Sequence, residues 1–305
     1  MDSIIDAHGH LGDILYPGGG RLIDEKGVSK EPVLDLLDHA EKRLHRDPLG
    51  TGRFSYRLFG RWITRGERAR NATATLENFR SSLDEAEISQ AVCLPIPPNV
   101  TFADLEKAAR REPRIIPFTG VDYAADGDPG SALATHVAAG ARGLKLHPII
   151  QKVPLTSEST RAAVEAFAVH DLPVLFHCGI SSYYLGAERA QQEPRYGAIR
   201  YAAELVRNFP NVKFIAGHSG IFEVGKVLTL LGALPNVWVD TSFQSVVRVR
   251  ELLETFGPER VLFASDWPYG NRPPALAIAR EACRGDRGIA RRVLFENAAE
   301  LLGIG

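Results

Sequence analysis

Two histidines separated by one glycine close an apolar run at the front of the chain: "SIIDAHGH", residues 3–10, ends in His8-Gly9-His10. In an extended strand, residues two apart share a face, so both imidazoles project the same way from the strand's end. Neutral imidazole nitrogen is a ready ligand for Zn2+ and related ions, and convergent rings of this kind fit a metal site. The pair alone is weak evidence, because one hydrogen-bonded ring and one exposed ring would account for it as well. Other runs change that weighting. "PVLFHCG" leads to His177, "NVKFIAGHSG" to His218 and "VLFASDWP" to Asp266. "GLKLHP" carries Lys145 and His147 on one face, with Leu144 and Leu146 on the other. Polar groups in apolar strands are costly to bury unless paired or coordinated. One metal site would account for them together.

The elements that must position these residues follow from hydrophobic pattern. After residue 75, short β-branched runs (88–95, 114–122, 142–148, 172–179, 211–220, 236–242 and 260–268) alternate with helix-like stretches. With the opening run they make eight strands, apolar enough to be buried on both faces as parallel strands are. Eight right-handed βα units predict an α/β fold, a (β/α)8 TIM barrel spanning residues 1–305 as one domain. A doubly wound sheet shares the same alternation, but no strand leads into a GxGxxG loop. In a barrel the polar strand ends gather at the C-terminal mouth. Residues 11–74 break the rhythm and form an insertion after the first strand, a candidate lid. It holds a Gly18-Gly19-Gly20 turn, a predicted helix over 31–46, and a second in which Arg53, Arg57, Arg61 and Arg65 recur every four residues. Phe54, Leu58, Phe59, Trp62 and Ile63 form that helix's other stripe. The expected arrangement is a solvated basic face, with the aromatic side packed on the barrel or a partner subunit.

A formal net charge of −1 across 305 residues gives no global attraction to nucleic acid or an acidic membrane. No apolar run reaches membrane-spanning length, and the opening "MDSIID" lacks the basic start of a signal peptide. Three scattered cysteines without a CxxC argue for a reducing, cytoplasmic setting. The expected partner is a small-molecule substrate, with homo-oligomerisation left open.

The order HxH on strand 1, Lys on strand 4, His on strands 5 and 6 and Asp on strand 8 resembles the amidohydrolase superfamily. The phrases "DAHGHLG", "GLKLHP", "HCG", "GHSG", "FASDWP" and "ENAAELLG" look most like its amidohydrolase-related branch, which includes aminocarboxymuconate semialdehyde decarboxylase-like enzymes. The resemblance covers the chain outside 11–74. It implies that His8, His10, His177 and Asp266 hold a divalent ion, with zinc the favoured metal and one ion favoured over two. It implies that Asp266 handles the proton of the attacking water and that His218 is either catalytic or a ligand of a second ion. Lys145 would ligate only if carbamylated, in the two-metal case. His147, Tyr183, Arg195 and Trp267 are candidates for the substrate pocket, each with an ordinary packing or surface role as the alternative. Asp240 either supports His218 or caps the following helix, the commoner use of such an Asp. The leading activity is hydrolysis of an amide, lactone or ester. Non-oxidative decarboxylation is the alternative, and a non-catalytic metal-binding scaffold the third.

Overall fold

The computed structural model describes residues 3–41, 52–125 and 128–304. Eight parallel strands alternate with helices: β1 (Ile5–Asp6), β2 (Gln90–Cys93), β3 in two pieces (Ile115–Pro117 and Thr119–Gly120), β4 (Leu144–Leu146), β5 (Val174–His177), β6 (Phe214–Gly217), β7 (Val237–Asp240) and β8 (Val261–Leu262). The break in β3 marks a change of pairing. Phe118 N–H donates to Cys93 O of β2 at 2.9 Å, whereas Thr119 N–H donates to Gly143 O beside β4 at 2.8 Å. The ring closes between the first and last strands. Ala7 N–H reaches Phe263 O at 2.9 Å, Asp266 N–H reaches His8 O at 2.9 Å, and His10 N–H reaches Trp267 O at 2.7 Å. This is the TIM barrel that the alternation predicts.

Burial explains why the strands are so uniformly apolar. Val174–His177 and Phe214–Gly217 are buried at every position. Alternate residues (Ile5 and Ala7, Val92 and Leu94, Leu262 and Ala264) join Leu175 and Ile215 in one cluster, which includes Ala298 and Leu302 near the C-terminus. The intervening Ile4, Ala91, Cys93, Val174 and Phe176 belong to a larger cluster that takes in helix residues such as Phe79, Val164 and Val206. Period-two alternation therefore separates the two cores.

Among the described residues, the α-helices of six residues or more are α1 (Leu36–Glu41), α2 (Gly52–Asn71), α3 (Leu76–Glu85), α4 (Phe102–Ala109), α5 (Pro129–Ala138), α6 (Glu158–Ala168), α7 (Ile199–Asn208), α8 (Val224–Leu231), α9 (Val246–Phe256), α10 (Arg272–Ala282) and α11 (Asn297–Leu302). Side-chain caps start several of them: Thr75 before α3, Ser157 before α6 and Ser245 before α9. None of the described helices is long and apolar enough to cross a membrane.

Within the 11–74 segment, Gly18 at φ 77° leads into a 3-10 turn over Gly19–Asp24. Part of the helix expected over 31–46 falls in residues outside those described; α1 begins at Leu36. Helix α2 forms where the arginine spacing predicts it, but most of its aromatic stripe does not pack on the barrel. Leu58, Phe59 and Trp62 are 61%, 48% and 49% exposed, while Ile63, Thr64 and Arg70 are buried. Polar contacts set that orientation: Thr64 Oγ1 donates to Ser182 O at 2.8 Å, and the Tyr269 hydroxyl donates to Asn71 Oδ1 at 2.8 Å. Arg61 and Arg65 are exposed, as a solvated basic face requires; the side chains of Arg53, Phe54 and Arg57 lie outside the described residues.

Candidate metal centre

The ends of β1 and β8 meet at the barrel's closing seam, and this brings His8, His10 and Asp266 to one point. Asp266 Oδ1 lies 3.4 Å from His8 Nε2 and 3.4 Å from His10 Nε2. One ligand atom from each residue falls within 4.8 Å of the others. Both rings have their protons fixed on the far side. His10 Nδ1 is 2.8 Å from Leu94 O, which can only accept, so His10 carries its proton on Nδ1. His8 Nδ1 is 2.8 Å from Asp240 Oδ2, and its Nε2 takes a contact from Lys145 Nζ at 3.4 Å.

The environment keeps these imidazoles neutral. Burial, then the charge of Lys145, lowers His8 and His10 well below the usual histidine range. Burial likewise brings the Lys145 amine down to about 8, against the pull of Asp266 and Asp240. Asp266 is raised well above the usual carboxylate range by burial, and its Oδ1 is enclosed without a hydrogen-bond partner. The His10 Nε2 lone pair, that of His8 Nε2 shared with Lys145, and an orphaned carboxylate oxygen form a donor set that a divalent cation fits.

Asp240 supports this group rather than capping a helix. It accepts from His8 Nδ1, from the backbone N–H of His218 at 3.0 Å, and from the backbone N–H and hydroxyl of Ser242 at 3.0 and 2.5 Å. Ser245 caps α9 instead. The Ser242 proton is committed to Asp240, so Ser242 Oγ accepts from His218 Nδ1 at 3.1 Å; the same nitrogen lies 3.4 Å from Asp266 Oδ2. His218 and Asp266 both have left-handed backbones, φ 59° and 58°. Such conformations cost of order 1–3 kcal/mol each for non-glycine residues and cluster at functional sites.

The other expected residues are placed as follows. His177 is buried, with its ring 5.0 Å from that of His218, but its Nε2 donates to Gly179 O at 3.0 Å and is not in the His8–His10–Asp266 group. Its ring stacks on His147 at 4.4 Å, and the Tyr183 hydroxyl approaches its Nδ1 at 3.4 Å. His147 accepts from the Ile150 N–H at 3.3 Å, a local loop bond. Trp267 is buried against Phe79, its carbonyl holding His10. Arg195 takes the surface alternative: its side chain is 82% exposed and bound to Glu193 in the turn at 193–197. Cys178 is buried and donates to Gly217 O, as a packing residue does.

Sequence reasoning missed a clamp beside the seam. Arg272, fully buried at the start of α10, donates to Asp6 Oδ2 at 2.9 Å. Asp6 also accepts from the backbone N–H and hydroxyl of Ser265 at 2.9 and 2.6 Å. This ties the residue two before His8 to the residue before Asp266. No local pattern links positions 266 residues apart; the available signal was an Asp inside an apolar strand.

A cavity of about 370 Å3, lined in part by Leu15, Asn99, Tyr123, Gln151 and Tyr184, opens on the same end of the barrel. His147 N–H donates to Gln151 Oε1 at 3.1 Å, joining its wall to the site. That volume suits a small molecule.

The family model for amidohydrolases matches residues 5–304, and the chain belongs to that family, whose members are metal-dependent enzymes that include hydrolases and decarboxylases. No curated protein matches it by sequence. Among solved structures, an uncharacterised TIM-barrel protein from Bordetella bronchiseptica superposes with a TM-score of 0.66 at 16% identity, covering 99% of this chain and 98% of that one. A 5-carboxyvanillate decarboxylase from Novosphingobium aromaticivorans, complexed with manganese and a nitrobenzoic acid, gives 0.63 at 15% identity over 99% and 96%. A probable 2-pyrone-4,6-dicarboxylic acid hydrolase from Acinetobacter baumannii, with citric acid bound, gives 0.60 at 14% identity over 99% and 100%. At these identities the likeness is one of fold.

Proposed function

We propose that this protein is a metal-dependent hydrolase of a small amide, ester or lactone, working at the closing seam of its barrel. The observation that carries the reading is the Asp266 carboxylate, with one oxygen orphaned between His8 and His10 and the other beside His218. His8, His10 and Asp266 would hold the ion, with His177 the remaining imidazole of the expected set and zinc the proposed metal. When bound, the ion supplies Lewis acidity and lowers the pKa of water toward about 7. Asp266 accepts the proton of the attacking water and returns it to the leaving group. His218, with its proton on Nδ1, orients Asp266 Oδ2. The neutral ring has no Nε2 proton, so it does not stabilise an oxyanion in this tautomer. Lys145, with its amine at the protonation boundary, faces developing negative charge. Helix α2, bonded to the loop after β5 through Thr64, acts as the lid that keeps bulk water out.

A second reading has one observation in its favour. Lys145 is a buried cation beside His8, suited to a substrate carboxylate that leaves as CO2. Zinc-reconstituted protein assayed on esters, lactones, amides and aromatic carboxylates in 18O-labelled water separates the two. Label in the product supports hydrolysis; release of CO2 without label transfers the assignment to decarboxylation. Stoichiometric zinc with no turnover on either panel would leave a binding scaffold.

A further inference from the structure

Asp6, two residues before His8, is a fully buried acid whose oxygens all face donors at the seam. Its Oδ1 accepts the backbone N–H of His8 at 3.3 Å and that of Ser265 at 2.9 Å. Its Oδ2 accepts the Ser265 hydroxyl at 2.6 Å and Arg272 Nε at 2.9 Å. Four donors fill its lone-pair positions, so the group is an ionised carboxylate. Ser265 Oγ in turn accepts the Trp267 backbone N–H at 3.1 Å. One side chain therefore grips the backbone at His8 directly, before Asp266 directly, and after Asp266 through one hydroxyl.

Arg272 holds that carboxylate and reaches the same stretches of chain. Its Nη1 donates to Ser82 Oγ at 3.0 Å, and its guanidinium lies 4.5 Å from the Phe79 ring and 5.1 Å from the Trp267 ring. Its Nη2 is buried with no hydrogen-bond partner among the described residues. A Cβ placed on Gly9, between the two histidines, would lie 3.6 Å from that nitrogen. As a source of stability such a pair is poor, because desolvation offsets most of its attraction and an orphaned nitrogen adds to the cost. What it supplies is register. Asp266 needs that restraint: its left-handed backbone, φ 58°, persists only where its neighbours over-determine it.

We propose that Asp6 is a positioning residue of the candidate metal centre. Ion-paired to Arg272, it joins the backbone of His8 to the backbone on either side of Asp266, and so sets where imidazole and carboxylate meet. The proposal rests on the metal-centre reading and goes beyond its ligands. Asp6 acts through backbone alone, whereas Asp240 bonds the His8 ring itself.

Cobalt(II) titration of the full-length, metal-free protein tests this, with affinity read by chelator competition and ligand geometry by the visible d–d bands. Asp6→Asn replaces an acceptor oxygen by an N–H2 group among four donors. Ser265→Ala removes the hydroxyl that links Asp6 to Trp267. Both are expected to bind Co2+ at least about tenfold more weakly than wild type, with shifted bands. Leu133→Ala is the control: it opens a cavity at a buried position of α5, which follows β3, and lowers stability away from the seam. Its Co2+ affinity and bands are expected to match wild type. Ser265→Ala deletes a single hydroxyl and decides the matter should Asp6→Asn fail to fold. Wild-type affinity with wild-type bands in either folded seam variant overturns the proposal, as does an equal loss in Leu133→Ala. No Co2+ binding by wild type would sink the metal-centre reading itself. The readout needs no turnover, so failure of the proposed hydrolysis would leave the positioning role standing.

Discussion

His8 Nδ1 and Asp240 Oδ2 lie 2.8 Å apart with both side chains fully buried, so β7 dictates which nitrogen of β1's first histidine faces the mouth. Asp240 is itself pushed up to about 6 by burial, against the hydrogen bonds of Ser242 and the His218 backbone. Asp240→Asn keeps the shape but can turn an amide N–H toward His8, which favours the wrong tautomer. Metal affinity is expected to fall about 10–100-fold, the usual cost of losing such a support. Competition with a chromophoric chelator measures it. Unchanged affinity would mean that the His8 tautomer is set elsewhere.

Asp266→Asn removes the proposed proton acceptor and one proposed ion ligand while keeping the volume. Turnover is expected to fall by at least about 100-fold. Metal-free protein should lose no stability, because the orphaned Oδ1 has no hydrogen bond to give up. Steady-state kinetics and thermal melts of metal-free samples read the two effects separately. A large drop in melting temperature would show that the carboxylate serves the fold.

The buried Arg272–Asp6 pair makes a different prediction. Arg272→Met leaves Asp6 buried without its guanidinium, and should cost about 3–5 kcal/mol. The double variant Asp6→Asn, Arg272→Met should recover part of that loss, because no uncompensated charge remains. Urea unfolding of the set gives the coupling, and strict additivity would refute it.

The site also predicts how metal-free protein responds to acid. Burial, reinforced by Lys145, lowers His177 to about 3 in the fold, from an ordinary value of 6.5. Between those values the unfolded chain binds the extra proton and the folded one does not, so stability rises with pH across that window. On acidification it is lost progressively from about pH 6.5 toward pH 3. His177→Phe should flatten this part of the profile, read by denaturant midpoints at a series of pH values. An unaltered slope would assign the acid sensitivity to other buried histidines.

The barrel was legible because each parallel strand is buried on both faces, and that demand writes itself into contiguous sequence. His8, His10, Lys145, His177, His218 and Asp266 were legible as interruptions of those apolar runs. Their bonding was not. Asp240 could be read as a helix cap because the Asp itself carries no sign of the histidine, 232 residues earlier, that claims it. Helix α2 was visible from its arginine period, yet its rotation depended on Thr64 and Asn71 finding partners on distant loops. That rotation placed Leu58, Phe59 and Trp62 outward and Thr64 and Arg70 inward, against the ordinary sorting of apolar and polar side chains.

The seam between β1 and β8 has a consequence for biosynthesis. Asp266 leaves the ribosome 256 residues after His10 (positions 266 and 10). At ordinary elongation rates of about 5–20 residues per second, that interval is on the order of tens of seconds. Through it the two imidazoles have no carboxylate to share an ion with. Meeting of the imidazoles with the carboxylate therefore waits until both strands have been made and the seam has closed, and capture of the proposed ion would wait with it.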